Sequence, residues 1–433
     1  VTQMTGEDAG AGRAGASRPG AVKGGLRRRA AAPADALGVA LLVAPLAGVL
    51  QSKALAPIAL CGLLGVVVLH RLRRGAWPWP GGAATAAALG LFGWALVTAL
   101  WAPVAGLAAF TAVQIGAFVA LGAAAARAVA EEEEGARQRL LRSASIGLAL
   151  GIAAAGLDYA TGHAIRGFVR GLREPPDTLM FGLKPAASAM GLWLPLLAVA
   201  PLPRWLRVAG LLAGAAVLAW LPGESAKIAV AVGALAGALA WLAPRRGPRL
   251  VGAGLALVLL LTPYVLGPVL ARGIPAAGWP PSAAHRLLIW DFVGTRIAEK
   301  PLFGWGMEAS RNIPGHRDPA PPEVLARFGL TTPHAATWIH QAERLPLHPH
   351  NGALQLRLEL GIPGVLLAAL LAWWLGVAAA RSAAPAVATA MLAAGSVTGM
   401  LSFGAWQEWW VGAELLALVA ASGLGRRTGA PPP

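Results

Sequence analysis

Apolar residues follow one another along this chain in blocks of roughly 16 to 25, the length a helix needs to cross a hydrocarbon layer, with short polar breaks between them. Twelve blocks are predicted as membrane helices, near residues 36–50, 54–70, 82–101, 104–126, 143–160, 179–200, 205–221, 225–243, 250–271, 350–380, 384–403 and 408–424. The rhythm breaks over residues 272–348, a stretch far longer than an ordinary connector. Its Trp, Phe and Leu content predicts order. Within it, 282–300 spaces Leu287, Leu288, Phe292 and Ile297 among polar residues, as in an amphipathic helix lying along a membrane surface and ended by Pro301. A second short helix is predicted over 323–328, after Pro321 and Pro322. The pattern predicts an all-α polytopic membrane protein of about twelve transmembrane helices, with a large external loop between the ninth and tenth. Its divisions are a tail over 1–34, nine helices over 35–271, the loop over 272–348, three helices over 349–424 and a second tail over 425–433.

Composition strengthens that reading: 56% of the 433 residues are hydrophobic and 13% charged, a balance that excludes an ordinary soluble domain. A formal net charge of +16 would suit nucleic acid, yet the basic residues sit in small clusters between apolar blocks. With the N-terminus inside, alternate loops hold Arg71, Arg73 and Arg74; Arg137, Arg139 and Arg142; Arg204 and Arg207; Arg245, Arg246 and Arg249; Arg381; and Arg426 and Arg427. Both termini are therefore predicted cytoplasmic, and no nucleic-acid partner is expected. The opposite loops carry basic residues chiefly at 161–178 and 272–348, where charge on the disfavoured side predicts a role. The single cysteine, Cys61, supports neither a disulfide nor a thiolate metal site. The Gly-, Ala- and Arg-rich first residues predict a disordered basic cytoplasmic tail. Ala54-Leu55-Ala56 mimics a leader cleavage site, but Pro57 follows it, so an uncleaved first span is expected. The acidic run 131–134 is predicted as a solvated turn.

The stretch from His348-Pro349-His350-Asn351 through Gln355 and Glu359 to Gly361-Ile362-Pro363-Gly364 opens a membrane helix with polar groups. Asn351, Gln355 and Glu359 lie four residues apart and share one helix face, and polar side chains at that depth normally face a protein cavity. A histidine at a helix N-terminus is held neutral by the backbone dipole and is available as a base. His348 and His350 serve equally well, on residue type alone, as interfacial caps of that helix.

His-x-His-Asn, then Leu-Gln and Glu-x-Gly-x-x-Gly, resembles the signature of the O-antigen ligase and polymerase superfamily. Arg286-x-x-x-Trp290 followed by Pro301-Leu302-Phe303-Gly304-Trp305-Gly306 resembles its companion motif. The likeness covers residues 150–424 at the level of topology, with scattered identities upstream of the motifs. Where family members commonly carry arginine, this chain has Lys184 after Phe181-Gly182-Leu183 and Lys227 after Glu224-Ser225-Ala226. Lysine keeps the charge but loses the planar fork. The resemblance implies a metal-independent inverting transferase of the bacterial inner membrane. Its donor would be an undecaprenyl-diphosphate-linked glycan and its acceptor a sugar hydroxyl of lipid A-core or a related glycan, with no cofactor. His350, His348 and Arg286 would be catalytic, Lys184, Lys227, Arg166 and Arg170 would bind the diphosphate, and Asn351, Gln355 and Glu359 would support them.

Other readings stay open beside it. A polymerase joining two lipid-linked repeats uses the same fold. A transporter needs paired interrupted spans and midplane charges, which the sequence does not offer. A homologue that has lost activity is a third reading, raised by the two lysines. The six histidines between 285 and 350 match no compact ligand spacing. Trp406, Trp409 and Trp410 are expected in an interfacial aromatic belt, with stacking on sugar rings as the alternative.

Overall fold

The computed structural model describes residues 31–426, and among them it is helical throughout, without strands. The expected tail over 1–34 therefore falls mostly outside the described residues, and Pro33 and Ala34 already belong to the first helix. Arg427 and the rest of the second tail also lie outside.

The helices are α1 (Pro33–Leu50), α2 (Leu55–Arg74), α3 (Ala83–Thr98), α4 (Ala105–Ala130), α5 (Glu134–Ala160), α6 (Ala164–Arg170), α7 (Pro176–Leu179), α8 (Leu183–Trp193), α9 (Arg204–Trp220), α10 (Glu224–Leu242), α11 (Gly247–Arg272), α12 (Pro281–Glu299), α13 (Pro322–Arg327), α14 (Pro333–Ile339), α15 (Gly352–Arg381), α16 (Pro385–Leu401) and α17 (Glu408–Ser422). A helix lies at each of the twelve expected positions. Among the described residues, eight helical segments are long and apolar enough to cross a membrane: Pro33–Leu50, Ser52–Arg74, Ala105–Ala130, Glu134–Ala160, Pro176–Val199, Glu224–Leu242, Gly247–Arg272 and Gly352–Arg381. Helices α3, α16 and α17, with 16, 17 and 15 residues, fall short of the expected spans, while α9, with 17, equals its expected length. Apolar residues counted into those blocks, such as Leu100, Trp101 and Phe403, lie in turns. Helices satisfy their own backbone groups, which is why apolar blocks adopt them where water is scarce.

Packing uses small residues. Where α11 crosses α15, a Cβ added to Gly252 would lie 2.9 Å from the carbonyl of Ala372 and 3.0 Å from Cα of Gly376, so the two backbones touch. Where α1, α2 and α5 begin or end, ion pairs tie the bundle: Arg139 to Asp35 at 2.8 Å and Arg73 to Glu132 at 3.4 Å. Glu132 is buried, which corrects the expectation that the whole run 131–134 is solvated, because Arg73 reaches across to neutralise it.

The loop over 272–348 is ordered around α12. Ala284, Leu287 and Leu288 pack with Leu270, Phe328 and Leu330, while Ile289, Phe292 and Val293 pack with Leu345, Leu354 and Leu358. The amphipathic period was legible, but its apolar side is buried in the protein on two fronts, not laid on a membrane surface. The predicted helix over 323–328 is present as α13.

Candidate active site

The His348-Pro349-His350-Asn351 turn is fixed at both ends and in its middle. Asn351 caps α15 by accepting from the N–H of Leu354 at 3.1 Å, and Trp290 of α12 donates to the carbonyl of Pro349 at 2.9 Å. His350 sits at φ 52°, the left-handed region, at a cost of about 1 kcal/mol. The imidazoles of His348 and His350 lie 4.2 Å apart, centre to centre. Their tautomers follow from their partners. Nδ1 of His350 lies 2.8 Å from the carbonyl oxygen of Ser402, which accepts only, so the proton is on Nδ1 and Nε2 carries the lone pair. The His350 backbone N–H donates to Nδ1 of His348 at 3.2 Å, so His348 carries its proton on Nε2. One ring offers an acceptor and the other a donor. Burial lowers both, together with the other imidazole and Arg311 and Arg286 for His348, which falls to about 3. For His350 the neighbouring charges are Arg286 and His285, partly offset by the Ser402 bond, and it falls to about 4. Both rings are neutral at neutral pH.

Arg286 stands four residues before Trp290 on α12, so the side chain that grips the turn and the cation share a helix face. The Arg286 guanidinium is half-buried and has no ion pair or hydrogen bond among the described residues; burial lowers its proton affinity without discharging it. Lys184, at the start of α8, is within electrostatic reach of Arg286 and sits over the Phe181 ring at 4.3 Å. Its backbone packs on Gly223, just before α10, where a Cβ would lie 3.6 Å from Lys184 Cα. The next residues hold Lys227, paired with Glu224 at 2.8 Å, and Ser225, hydrogen-bonded to the hydroxyl of Ser402. Arg170 is exposed on α6. Arg166 is engaged elsewhere: it is 1% exposed, bonds Asp158 through Nε at 2.7 Å and donates to the carbonyl of Leu179 at 2.8 Å. It anchors the approach to Lys184 with its charge matched by Asp158.

Glu359 and Gln355 face inward as expected, but toward protein groups. Glu359 is 0% exposed and accepts from Trp406 Nε1 at 2.6 Å, from the N–H of Glu308 at 2.8 Å and from the Ser310 hydroxyl; Gln355 Nε2 reaches it at 3.3 Å. Gln355 accepts in turn from the N–H of Ala405 at 2.9 Å. The glycine-rich motif lies against the break in α15 at Gly361 (φ 66°): Trp305 and Gly306 donate to the carbonyls of Leu358 and Glu359, both at 2.8 Å, and Ile362 donates to Leu302 at 2.8 Å. A Cβ on Gly304 would lie 2.7 Å from three backbone atoms of residues 358–361. Both sequence motifs are thus one folded unit.

Residues 402–408 drew notice in the sequence only for Trp406, as a belt or sugar-stacking group, and not for contact with the histidine turn. Ser402 orients His350, Gly404 packs on His348, and Ala405 and Trp406 reach Gln355 and Glu359. Trp406 and Trp410 are 6% and 2% exposed, so two of the three tryptophans are core groups and not a belt, because the shortness of α16 turns this segment inward. Their adjacency to the histidine turn leaves no local pattern to read. His285, His316 and His340 bond backbone carbonyls of Glu343, Leu345 and Ala336. Among the described residues no three His, Cys, Asp or Glu side chains converge as metal ligands would.

Comparison with known proteins falls on the same region. The O-antigen ligase family matches residues 208–369, which include Lys227, Arg286, His348, His350 and Glu359. Proteins named "Putative polysaccharide ligase" are similar to this chain in Rickettsia conorii, at 34% identity over 170 residues, 37% of this chain and 38% of that one. Those of Rickettsia felis (32% over 175 residues, 37% and 38%) and Rickettsia bellii (32% over 180 residues, 40% of each) are comparable. The matched stretch spans well under half the length of these curated relatives. No solved structure matches significantly. Over residues 208–369, the segment that folds both motifs together, the chain is similar to the O-antigen ligase family.

Proposed function

We propose that the protein is a membrane-embedded glycan ligase. It moves a glycan from an undecaprenyl-diphosphate carrier to a sugar hydroxyl of lipid A-core or a related glycan, with inversion and without a metal. The observation that carries this reading is the pairing of a neutral imidazole, its Nε2 lone pair free, with the unpaired cation Arg286 and with Lys184 nearby. The acceptor oxygen displaces the diphosphate at the anomeric carbon: the carbon–acceptor bond forms, the carbon–phosphate-oxygen bond breaks, and the acceptor's proton passes to Nε2 of His350. Charge growing on the leaving diphosphate is met by Arg286, Lys184 and the Nε2–H of His348. Lys227 and Arg170 attract the carrier from the margin, and Arg166 keeps the Lys184 segment in place.

In this reading the site faces the periplasm, both termini lie in the cytoplasm of an inner-membrane protein, and α3, α9, α16 and α17 complete twelve crossings with their flanking turns. Complementation of a deletion strain tests it. His350→Ala is expected to leave the lipid-linked glycan unused and the surface polysaccharide absent, while Lys184→Arg and Lys227→Arg restore it. Normal surface polysaccharide with His350→Ala would refute the base role, and accumulation of unjoined repeats in the deletion strain would point to polymerisation instead.

A further inference from the structure

Glu308 follows the glycine-rich motif with its backbone at φ 61°, the left-handed region that glycine fills at least cost. That conformation is used: the Glu308 N–H donates to Glu359 at 2.8 Å and its carbonyl accepts from Asn312 Nδ2 at 3.4 Å. Neither bond needs a side chain. A glutamate held there against its backbone preference points to work done by the carboxylate.

The side chain is 12% exposed, yet its carboxylate accepts no hydrogen bond from the described residues; its cation partner, Arg311, stands off at 3.7 Å and is 47% exposed. Both oxygens keep contact with the surface, so the donors they lack within the protein can come from a ligand that displaces water. It belongs to the histidine basin. The charge of Arg311 bears on His348, and that of Glu408 bears on Glu308. Glu408 directly follows the segment whose Ser402 orients His350 and whose Gly404 packs on His348.

We propose that Glu308, with Arg311 beside it, binds the acceptor glycan, its carboxylate accepting hydrogen bonds from sugar hydroxyls next to the one that reacts. Charge divides the basin in two. The anionic diphosphate is drawn to Arg286 and Lys184 and repelled by Glu308 and Glu408, whereas a neutral polyol brings the donors that a carboxylate's lone pairs lack. Burial, with Glu359 and Glu408 adding to it against Arg311, also pushes the Glu308 carboxyl up to about 7. With Arg311, Glu359, Glu408 and the neutral His348 as its charged or titratable neighbours, protonation of Glu308 should weaken acceptor binding as pH falls through that value.

This inference rests on the ligase reading, and one experiment separates the two. Full-length protein, purified in detergent, is assayed for transfer from an undecaprenyl-diphosphate oligosaccharide to rough lipopolysaccharide, comparing wild type, Glu308→Gln and Glu308→Gly. The loss of hydrogen bonds to a charged group should raise acceptor KM about tenfold or more in both variants. Donor KM should stay within about twofold, as expected if the diphosphate makes no contact there. Glu308→Gly, relieved of left-handed strain, should melt no lower than wild type, and the acidic rise in acceptor KM should vanish in Glu308→Gln. Wild-type transfer with an unchanged acceptor KM in both variants overturns the acceptor role alone. Absence of transfer by the wild type overturns the ligase reading and the inference with it.

Discussion

His350 combines two properties that pull against each other. Its depressed proton affinity keeps Nε2 free at neutral pH, but a group of pKa about 4 is a poor resting place for a proton. Part of that depression comes from Arg286, so a bound diphosphate, by offsetting the guanidinium, should raise the imidazole again. At saturating acceptor, the acid limb of kcat/KM for the donor, which reports the protein before the diphosphate binds, is expected near pH 4, and that of kcat at a distinctly higher pH. Superimposable limbs in the two pH profiles would contradict this coupling. At this scale the two histidines and Arg286 were legible as candidates because residue type and order carry the motifs that hold them. The roles of Arg166 and Glu359 were not: Asp158 meets Arg166 only through the turn between α5 and α6, and Trp406 lies 47 residues from Glu359.

Helix α15 is where the motifs meet, and its break at Gly361 makes room for the glycine-rich turn. A Cβ at Gly361 would meet Leu302 and Phe303, and one at Gly304 would meet the α15 backbone. Gly361→Ala and Gly304→Ala should each cost more than about 2 kcal/mol, as strain at special backbone positions does, and should lower the melting temperature in detergent. Wild-type melting of both would show that the turn does not dock as described. The break was not visible beforehand because Gly361-Ile362-Pro363 lies inside an apolar run long enough to span. The period of α12 was visible, but periodicity says which face is buried without saying against what, and the partners proved to be α11, α15 and the loop itself.

At the scale of the whole molecule, apolar helices carry a cluster of polar groups drawn from α8, α10, α12, the 304–311 turn, the histidine turn and the 402–408 segment. Hydropathy placed a helix at each of the twelve expected positions because apolar length is a local property. Eight segments among the described residues are long and apolar enough to cross by themselves, and some of the other blocks took in turn residues. The cluster depends on side chains far apart in sequence, and only its two motifs announced themselves. In the proposed reaction His350 takes the acceptor's proton while Arg286 and Lys184 hold the diphosphate. The most direct measurement is single-turnover transfer by purified protein from an undecaprenyl-diphosphate oligosaccharide, with donor binding followed separately, for wild type and His350→Gln. The expected result is donor affinity within about twofold of wild type and transfer slowed by about 10²-fold or more, as loss of a general base predicts; transfer at the wild-type rate would contradict it.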